Sequence, residues 1–247
     1  MQIPPKPRQD TLYRDPARDD SPFVFDAAVT EVFSDMINRS VPGYATILGM
    51  LGVIAEKYIQ ADTRIYDLGC SLGGSTLALG QHTPHANCRI IAIDSSDAMV
   101  NKCRHNLSTA KLAPEIEVRC EDLRDTPIHD ASLVCLNLTL QFVPRSQRDA
   151  LISKIHRGLK PEGALILVEK TVSEDSDEQA FLTDLHLAFK RANGYTDMEI
   201  SRKRTALETV LRPDSHSRHL ERLRQNGFQH IHRWFSCLGF NAYLAIK

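Results

Sequence analysis

The sequence predicts an α/β fold: a doubly wound, mostly parallel seven-stranded sheet whose last strand is antiparallel. Three observations predict it. Apolar strand-like runs alternate with helix-like stretches from residue 65 to residue 169, the order that gives parallel βαβ units with right-handed crossovers. A glycine-rich turn, Gly69-Cys70-Ser71-Leu72-Gly73-Gly74, follows the first of these runs and opens a helix. Polar residues stand at four strand tips, Asp67, Asp94, Asp122 and Asn137, and such sheets bind ligands beyond the carboxyl ends of their strands.

In chain order, residues 1–22 carry five prolines among polar and charged residues and read as a flexible N-terminal arm. Residues 23–247 read as a single α/β domain. Asp26 is a helix N-cap for a stripe of Val29, Val32, Phe33, Met36 and Ile37. Ser40-Val-Pro-Gly breaks that helix, and Tyr44, Ile47, Leu48, Leu51, Ile54, Ala55 and Tyr58 form the stripe of the next. Both helices precede the first strand, so they are expected across the ligand edge of the sheet. Tyr44 is then either a core aromatic or a ring laid over the ligand.

Strands follow at 65–68, 89–93, 115–120, 131–137 and 163–169, with helices at 75–82, 96–108 and about 145–158 between them. Residues 174–226 read as a polar helical insertion covering the pocket, with Phe181, Leu185, Ala188 and Phe189 on one face. Two last strands run through Trp234 and through Ala242–Ile246. Within the insertion Ile200, Arg204, Leu207 and Leu211 share a helical stripe. An arginine there needs a partner, because an unpaired buried charge is costly. Its partner is either an ordinary salt bridge, with snorkelling to water, or the carboxylate of a ligand.

Composition narrows the function. The chain has 247 residues, 42% hydrophobic and 25% charged, with a net charge of −1. No global basic field argues for direct nucleic-acid binding. Six cysteines without a C-x-x-C pair suit reduced, mostly buried thiols in a cytoplasmic protein. The apolar runs fall short of a membrane span. His216, His219, His230 and His232 lack a metal-ligand constellation and read as solvated. Lys190-Arg191 and Arg202-Lys203 read as a basic solvated face, with a role in holding an acidic substrate open to one or two of them.

Two motifs claim the glycine-rich turn. Gly69-Cys70-Ser71-Leu72-Gly73 fits the G-x-S-x-G nucleophile elbow letter for letter. The longer run fits an adenosyl-binding loop, with Ser71 in place of a second glycine. Context favours the loop. Asp94 ends the next apolar run, 25 residues beyond Gly69, where a carboxylate accepts both ribose hydroxyls. An elbow needs several strands before its serine, and one precedes Ser71.

These features resemble the class I S-adenosylmethionine-dependent methyltransferase fold over residues 60–172 and the last two strands. FDAAVTEVFSDMINRSVPGY, YDLGCSLGGST, NLTLQF, FKRANGY and EISRKR are more specific and resemble the carboxy-S-adenosylmethionine synthase family. The resemblance implies cofactor contacts at Tyr44, Gly69, Cys70, Ser71, Asp94, Ser95, Asp122, Leu123, Asn137 and Arg204, with Arg204 and Tyr44 as the catalytic pair. It assigns Asp94 to the ribose, Asp122 with the Leu123 backbone to adenine, residues 69–71 to the methionine portion, and Arg204 to the new carboxylate. It implies that prephenate loses carbon dioxide and hydroxide to give phenylpyruvate. A sulfonium ylide of S-adenosyl-L-methionine captures the carbon dioxide, and the product is carboxy-S-adenosyl-L-methionine. It further implies a metal-free homodimer, working away from membranes and supplying a separate enzyme of tRNA wobble uridine modification. The rival readings are an ordinary methyltransferase acting on a small acid and a non-catalytic adenosyl-cofactor-binding protein.

Overall fold

The computed structural model describes residues 8–15 and 22–247. After a 3-10 turn at Leu12–Arg14 come α1 (Ala27–Ser40), α2 (Tyr44–Tyr58), β1 (Arg64–Leu68), α3 (Gly74–Gln81), β2 (Arg89–Asp94), α4 (Asp97–Ser108) and β3 (Glu115–Cys120). Then follow β4 (Ala131–Asn137), α5 (Arg145–Gly158), β5 (Leu159–Val172), α6 (Ser176–Ala192), α7 (Asp197–Glu208), β6 (Asp214–Ser215), α8 (His216–Gln225), β7 (His230–Cys237) and β8 (Phe240–Ile246). The sheet order is β3-β2-β1-β4-β5-β8-β7, with β6 beside β5. All pairs are parallel except β5–β8 and β7–β8. The expected fold class holds, with the two-residue β6 as an eighth strand.

The central strands are near-continuous apolar runs because helices cover both faces of the sheet. Their alternate residues separate into two layers. Tyr66, Leu68, Val134, Leu136, Leu165 and Leu167 pack on Leu151, Ile152 and Ile155 of α5. Ile65, Ile90, Leu133, Cys135, Ile166 and Val168 pack on Ile47, Leu51 and Ala55 of α2 and on Leu79 of α3. Asp26 caps α1 by accepting from the Val29 N–H at 2.7 Å, as its place in the sequence predicts. Val29, Val32 and Met36 of α1 then pack on Met99 of α4 and Ala206 of α7, which lays α1 over the carboxyl ends of the strands.

An ion cluster ties the insertion to the sheet. Arg148 of α5 is fully buried and pairs with Asp214 of β6 at 2.6 Å, and Arg222 of α8 pairs with the same carboxylate at 2.9 Å. The remaining Arg148 donors reach the carbonyls of Val143, Gln141 and Arg212.

Three expectations are corrected here. The loose arm over 1–22 lies outside the described residues at 1–7 and 16–21, and residues 8–15 are held down. Asp10 is buried, accepts from Tyr195 Oη at 2.5 Å and sits 3.6 Å from Lys203 Nζ, and Tyr13 packs in the α1 cluster. The α6 stripe is split, with Phe181 61% and Leu185 38% exposed and Phe189 half-buried against His186, the buried residue of that helix. The histidines divide. His230 and His232 are exposed, but His219 is 1% exposed and His216 bonds Tyr243 Oη at 2.9 Å. Burial pushes the His219 imidazole down to about 3, so it is neutral in the fold.

Candidate active site

The sheet places the tips of β1, β2 and β4 along one edge of a cavity of about 500 Å³, within the ~300–1,000 Å³ range of small-molecule sites. Its floor is the turn after β1. Gly69 has φ of +87° and Ser71 of +50°, the left-handed region that strains a serine. A Cβ on Gly69 would run into the Thr139 side chain, so the backbone needs glycine there. The N–H groups of Gly69 and Cys70 both donate to the Ile93 carbonyl at 2.8 Å. This stitches the turn to β2 and brings Ser71 to Asp94.

Asp94 is fixed by two backbone donors, the Ser71 N–H at 2.9 Å and the Ser96 N–H at 2.9 Å. Ser96 caps α4 through the Met99 N–H and donates its hydroxyl to the Phe25 carbonyl at 2.6 Å. Burial raises the Asp94 carboxyl above its usual range, opposed by those donors. Asp67 lies beneath, fully buried, with Thr76 Oγ1 donating to one oxygen at 2.6 Å. Burial pushes its carboxyl up to about 7, with the Asp94 charge adding to the shift. Among the described residues its other oxygen has no hydrogen-bond partner, and neither has Oδ1 of Asn137, whose amide donates to Ser75 Oγ at 2.9 Å. Asn137 lines the cavity and Asp67 does not, so it is the Asn137 acceptor, beside a glycine-rich turn and a fixed carboxylate, that fits a polar ligand.

Tyr44, Gly69, Cys70, Ser71, Asp94, Ser95, Asp122, Leu123 and Asn137 all line this one cavity. Tyr44 therefore faces the ligand space, and burial raises its hydroxyl well above the usual range, keeping it a neutral donor. The Asp122 carboxylate is engaged by Arg124 through Nε at 2.9 and 3.0 Å, which holds its carboxyl below the usual range. The Ser71 hydroxyl points to Met99 Sδ at 3.5 Å. That contact offers no proton acceptor of the kind an elbow serine uses, so the adenosyl-loop reading stands.

Arg204 stands outside the lining, though near enough for its charge to act on Lys170 and Lys190. It is exposed, although Leu207 and Leu211 of its expected stripe line the cavity. The buried residues of α7 are Glu199, Ile200, Lys203 and Ala206. Lys203, one residue earlier and about 100° around the helix, takes the inward place. The basic pairs split the same way, with Lys190 and Lys203 facing the cavity and Arg191 and Arg202 directed away from it.

Four groups at the site escaped the sequence reading. Phe25 and Phe142 line the mouth, their ring centroids 5.4 Å apart in an edge-to-face pair. Glu169 is buried beneath it, accepts from the Leu140 N–H at 2.9 Å, and is pushed up to about 8 by burial. Lys170 follows it into the cavity. Glu169 and Lys170 follow Val168, the β5 residue level with Asn137 at the tip of β4, so the strand-tip rule could have found them. Among the described residues, no group of three or more His, Cys, Asp or Glu could hold a metal ion, and no helix is long and apolar enough to cross a membrane.

Comparison with known proteins gives concordant findings. Residues 65–163 match the family model described as a methyltransferase domain. A protein of Shewanella sediminis (strain HAW-EB3), named carboxy-S-adenosyl-L-methionine synthase, is 48% identical over 239 residues, 97% of this chain and 98% of its own. Its namesake in Shewanella oneidensis is 49% identical over the same span. Among solved structures, an O-methyltransferase family protein from Burkholderia thailandensis superposes with a TM-score of 0.63 at 16% identity, over 90% of this chain and 60% of that one. Human N-acetylserotonin methyltransferase in complex with SAM gives 0.61 at 15% identity, over 90% and 55%. At such identities the solved structures speak for the fold alone.

Proposed function

The chain belongs to the carboxy-S-adenosyl-L-methionine synthase family, and from that premise we propose that it carboxylates S-adenosyl-L-methionine with the carbon dioxide released from prephenate, leaving phenylpyruvate. The observation that carries the reading is identity at 48% over 97% of the chain to relatives of that name. The site supports it, because every carried-over contact except Arg204 lines one cavity.

Bound S-adenosylmethionine supplies a sulfonium that acidifies its own methyl group, and the hydroxide leaving prephenate takes that proton as water, so the protein needs no strong base. The chain's residues then bind, orient and exclude water. The Asp94 carboxylate, already aimed by two N–H donors, accepts the ribose hydroxyls. The Asp122 and Leu123 segment borders the adenine. The turn at 69–71 and the free acceptor of Asn137 face the amino-acid portion. Tyr44, a neutral phenol, donates toward the reacting end. Phe23, Phe25, Phe33 and Phe142 close the mouth with apolar surface that keeps released carbon dioxide from water.

Arg204 is proposed to pair with the new carboxylate. Its exposure in the single chain supports a homodimer in which it serves the neighbouring cavity. Phe181, Leu185 and Met198, all exposed apolar residues of α6 and α7, support such pairing. The setting proposed is the cytoplasm, with the product passed to a separate tRNA-modifying enzyme and no direct nucleic-acid binding by this chain. Mass spectrometry of the ligand that co-purifies with the protein tests the reading. A carboxylated S-adenosylmethionine is expected. S-adenosylmethionine or S-adenosylhomocysteine alone, with no product on adding prephenate, would favour an ordinary methyltransferase.

A further inference from the structure

The cavity is electrically divided. Its acids, Asp94, Glu121 and Asp122, lie at β2 and just beyond β3, with Arg124 of the same end paired to Asp122. Its lysines, Lys170, Lys190 and Lys203, lie on β5 just past the level of the β4 tip and on the inner faces of α6 and α7. Lys170 is three strands from Asp94 in the sheet order β2-β1-β4-β5, roughly 14 Å at the ordinary spacing of neighbouring strands. Lys203 is spoken for, with Asp10 Oδ2 at 3.6 Å and Ser40 Oγ at 3.2 Å.

Lys170 and Lys190 differ from it. Neither ammonium has a hydrogen-bond or ion-pair partner among the described residues. The charges that act on Lys190 are those of Lys203, Lys170 and Arg204, and the one that acts on Lys170 is that of Arg204. Burial and these like charges hold both amines below their usual range, Lys190 at about 7. Half-buried cations in each other's field, without an acid, are costly unless an anion joins them.

We propose that Lys170 and Lys190 form the anion subsite for the second substrate, an organic dicarboxylate, and hold its carboxylates beside the reacting end of the adenosyl ligand. The assignment rests on the carboxylation reading above and names the residues that recognise its donor. β5 supplies one ammonium from the rigid sheet and α6 the other from the insertion, so the dianion itself ties the insertion down over the cavity. The methionine carboxylate of the adenosyl ligand belongs to the turn at 69–71, on the far side of β4.

The test uses the full-length protein loaded with S-adenosylhomocysteine and calorimetric titration with prephenate and, separately, malonate. Lys170→Met, Lys190→Met and the double variant are compared with wild type. Each single variant is expected to weaken prephenate at least tenfold, and the double variant to abolish it. S-adenosylhomocysteine affinity is expected to stay within about twofold. The thermal midpoint of Lys190→Met is expected to rise, since the variant loses an unpaired cation, and Lys190→Arg is expected to retain binding. Unchanged prephenate affinity overturns the assignment, as does equal loss of S-adenosylhomocysteine, or a wild type that binds neither dicarboxylate. Turnover is measured apart. A wild type that binds the dicarboxylates through these lysines but makes no carboxylated product refutes the carboxylation reading while upholding the subsite.

Discussion

At the scale of single residues the site is governed by carboxylates held for a purpose other than packing. Asp94 spends two backbone N–H groups on its orientation and contributes no apolar surface to the core. Asp94→Ala is therefore expected to weaken S-adenosylhomocysteine by about 1.5–3 kcal/mol, the scale of a charge-assisted hydrogen bond, with little change in unfolding midpoint. Calorimetric titration beside a thermal melt measures both. Asp67 has the opposite character. Its folded carboxyl is raised to about 7 from 3.8, so the unfolded chain gives up that proton at lower pH. Its contribution to stability is complete below about pH 4 and is lost as pH rises through about 7. Asp67→Asn removes the titration. The variant is expected to gain about 1–3 kcal/mol on wild type between pH 5 and pH 8 in urea denaturation, and parallel pH profiles would show that Asp67 does not titrate there.

At the scale of elements the insertion from α6 to α8 carries both what the sequence showed and what it hid. Asp214 pairs with three arginines, Arg145, Arg148 and Arg222, of which Arg148 is fully buried. Asp214→Ala takes the ion-pair partner from buried Arg148, while Arg222 keeps Asp149, and is expected to cost about 3–5 kcal/mol in chemical denaturation. The tips of β1, β2 and β4 were legible because a strand has one carboxyl end and a polar residue there has few structural uses. The helices of the insertion were less so. On α7 an apolar spacing through Ile200, Leu207 and Leu211 carried Arg204 with it, yet the helix ends at Glu208 and buries Lys203 instead. On α6 the stripe of Phe181 and Leu185 is real but faces away from its own chain. Periodicity reports that a face is apolar, not which molecule covers it. The same ambiguity makes Arg204 measurable. As an exposed charge it would contribute below about 1 kcal/mol, and buried against a carboxylate across a dimer about 2–4 kcal/mol. Arg204→Leu is expected to show the larger loss for carboxy-S-adenosylmethionine and little for S-adenosylmethionine. Phe181→Glu with Leu185→Glu is expected to give a folded monomer by sedimentation with the same selective loss. Equal losses for both ligands would assign Arg204 to the fold.

At the scale of the molecule, the sheet order and the alternating burial of its strands follow from the apolar runs, and the cavity follows from the sheet. What the sequence could not display is long-range company. Asp10 reads as part of a polar arm until Tyr195 and Lys203 are brought to it from across the chain. Lys170 reads as the end of a strand until Lys190 stands near it. Those meetings make a cavity with an acidic end for a nucleoside and a basic end for an anion, the shape a two-substrate carboxylation requires. The most direct test of that account is to incubate the protein with S-adenosylmethionine and prephenate carrying carbon-13 in its ring carboxylate, and to weigh the adenosyl product by mass spectrometry. The account predicts S-adenosylmethionine heavier by one carbon dioxide that retains the label, formed in step with phenylpyruvate. An unlabelled carboxylated product, or phenylpyruvate released with S-adenosylmethionine unchanged, would contradict it.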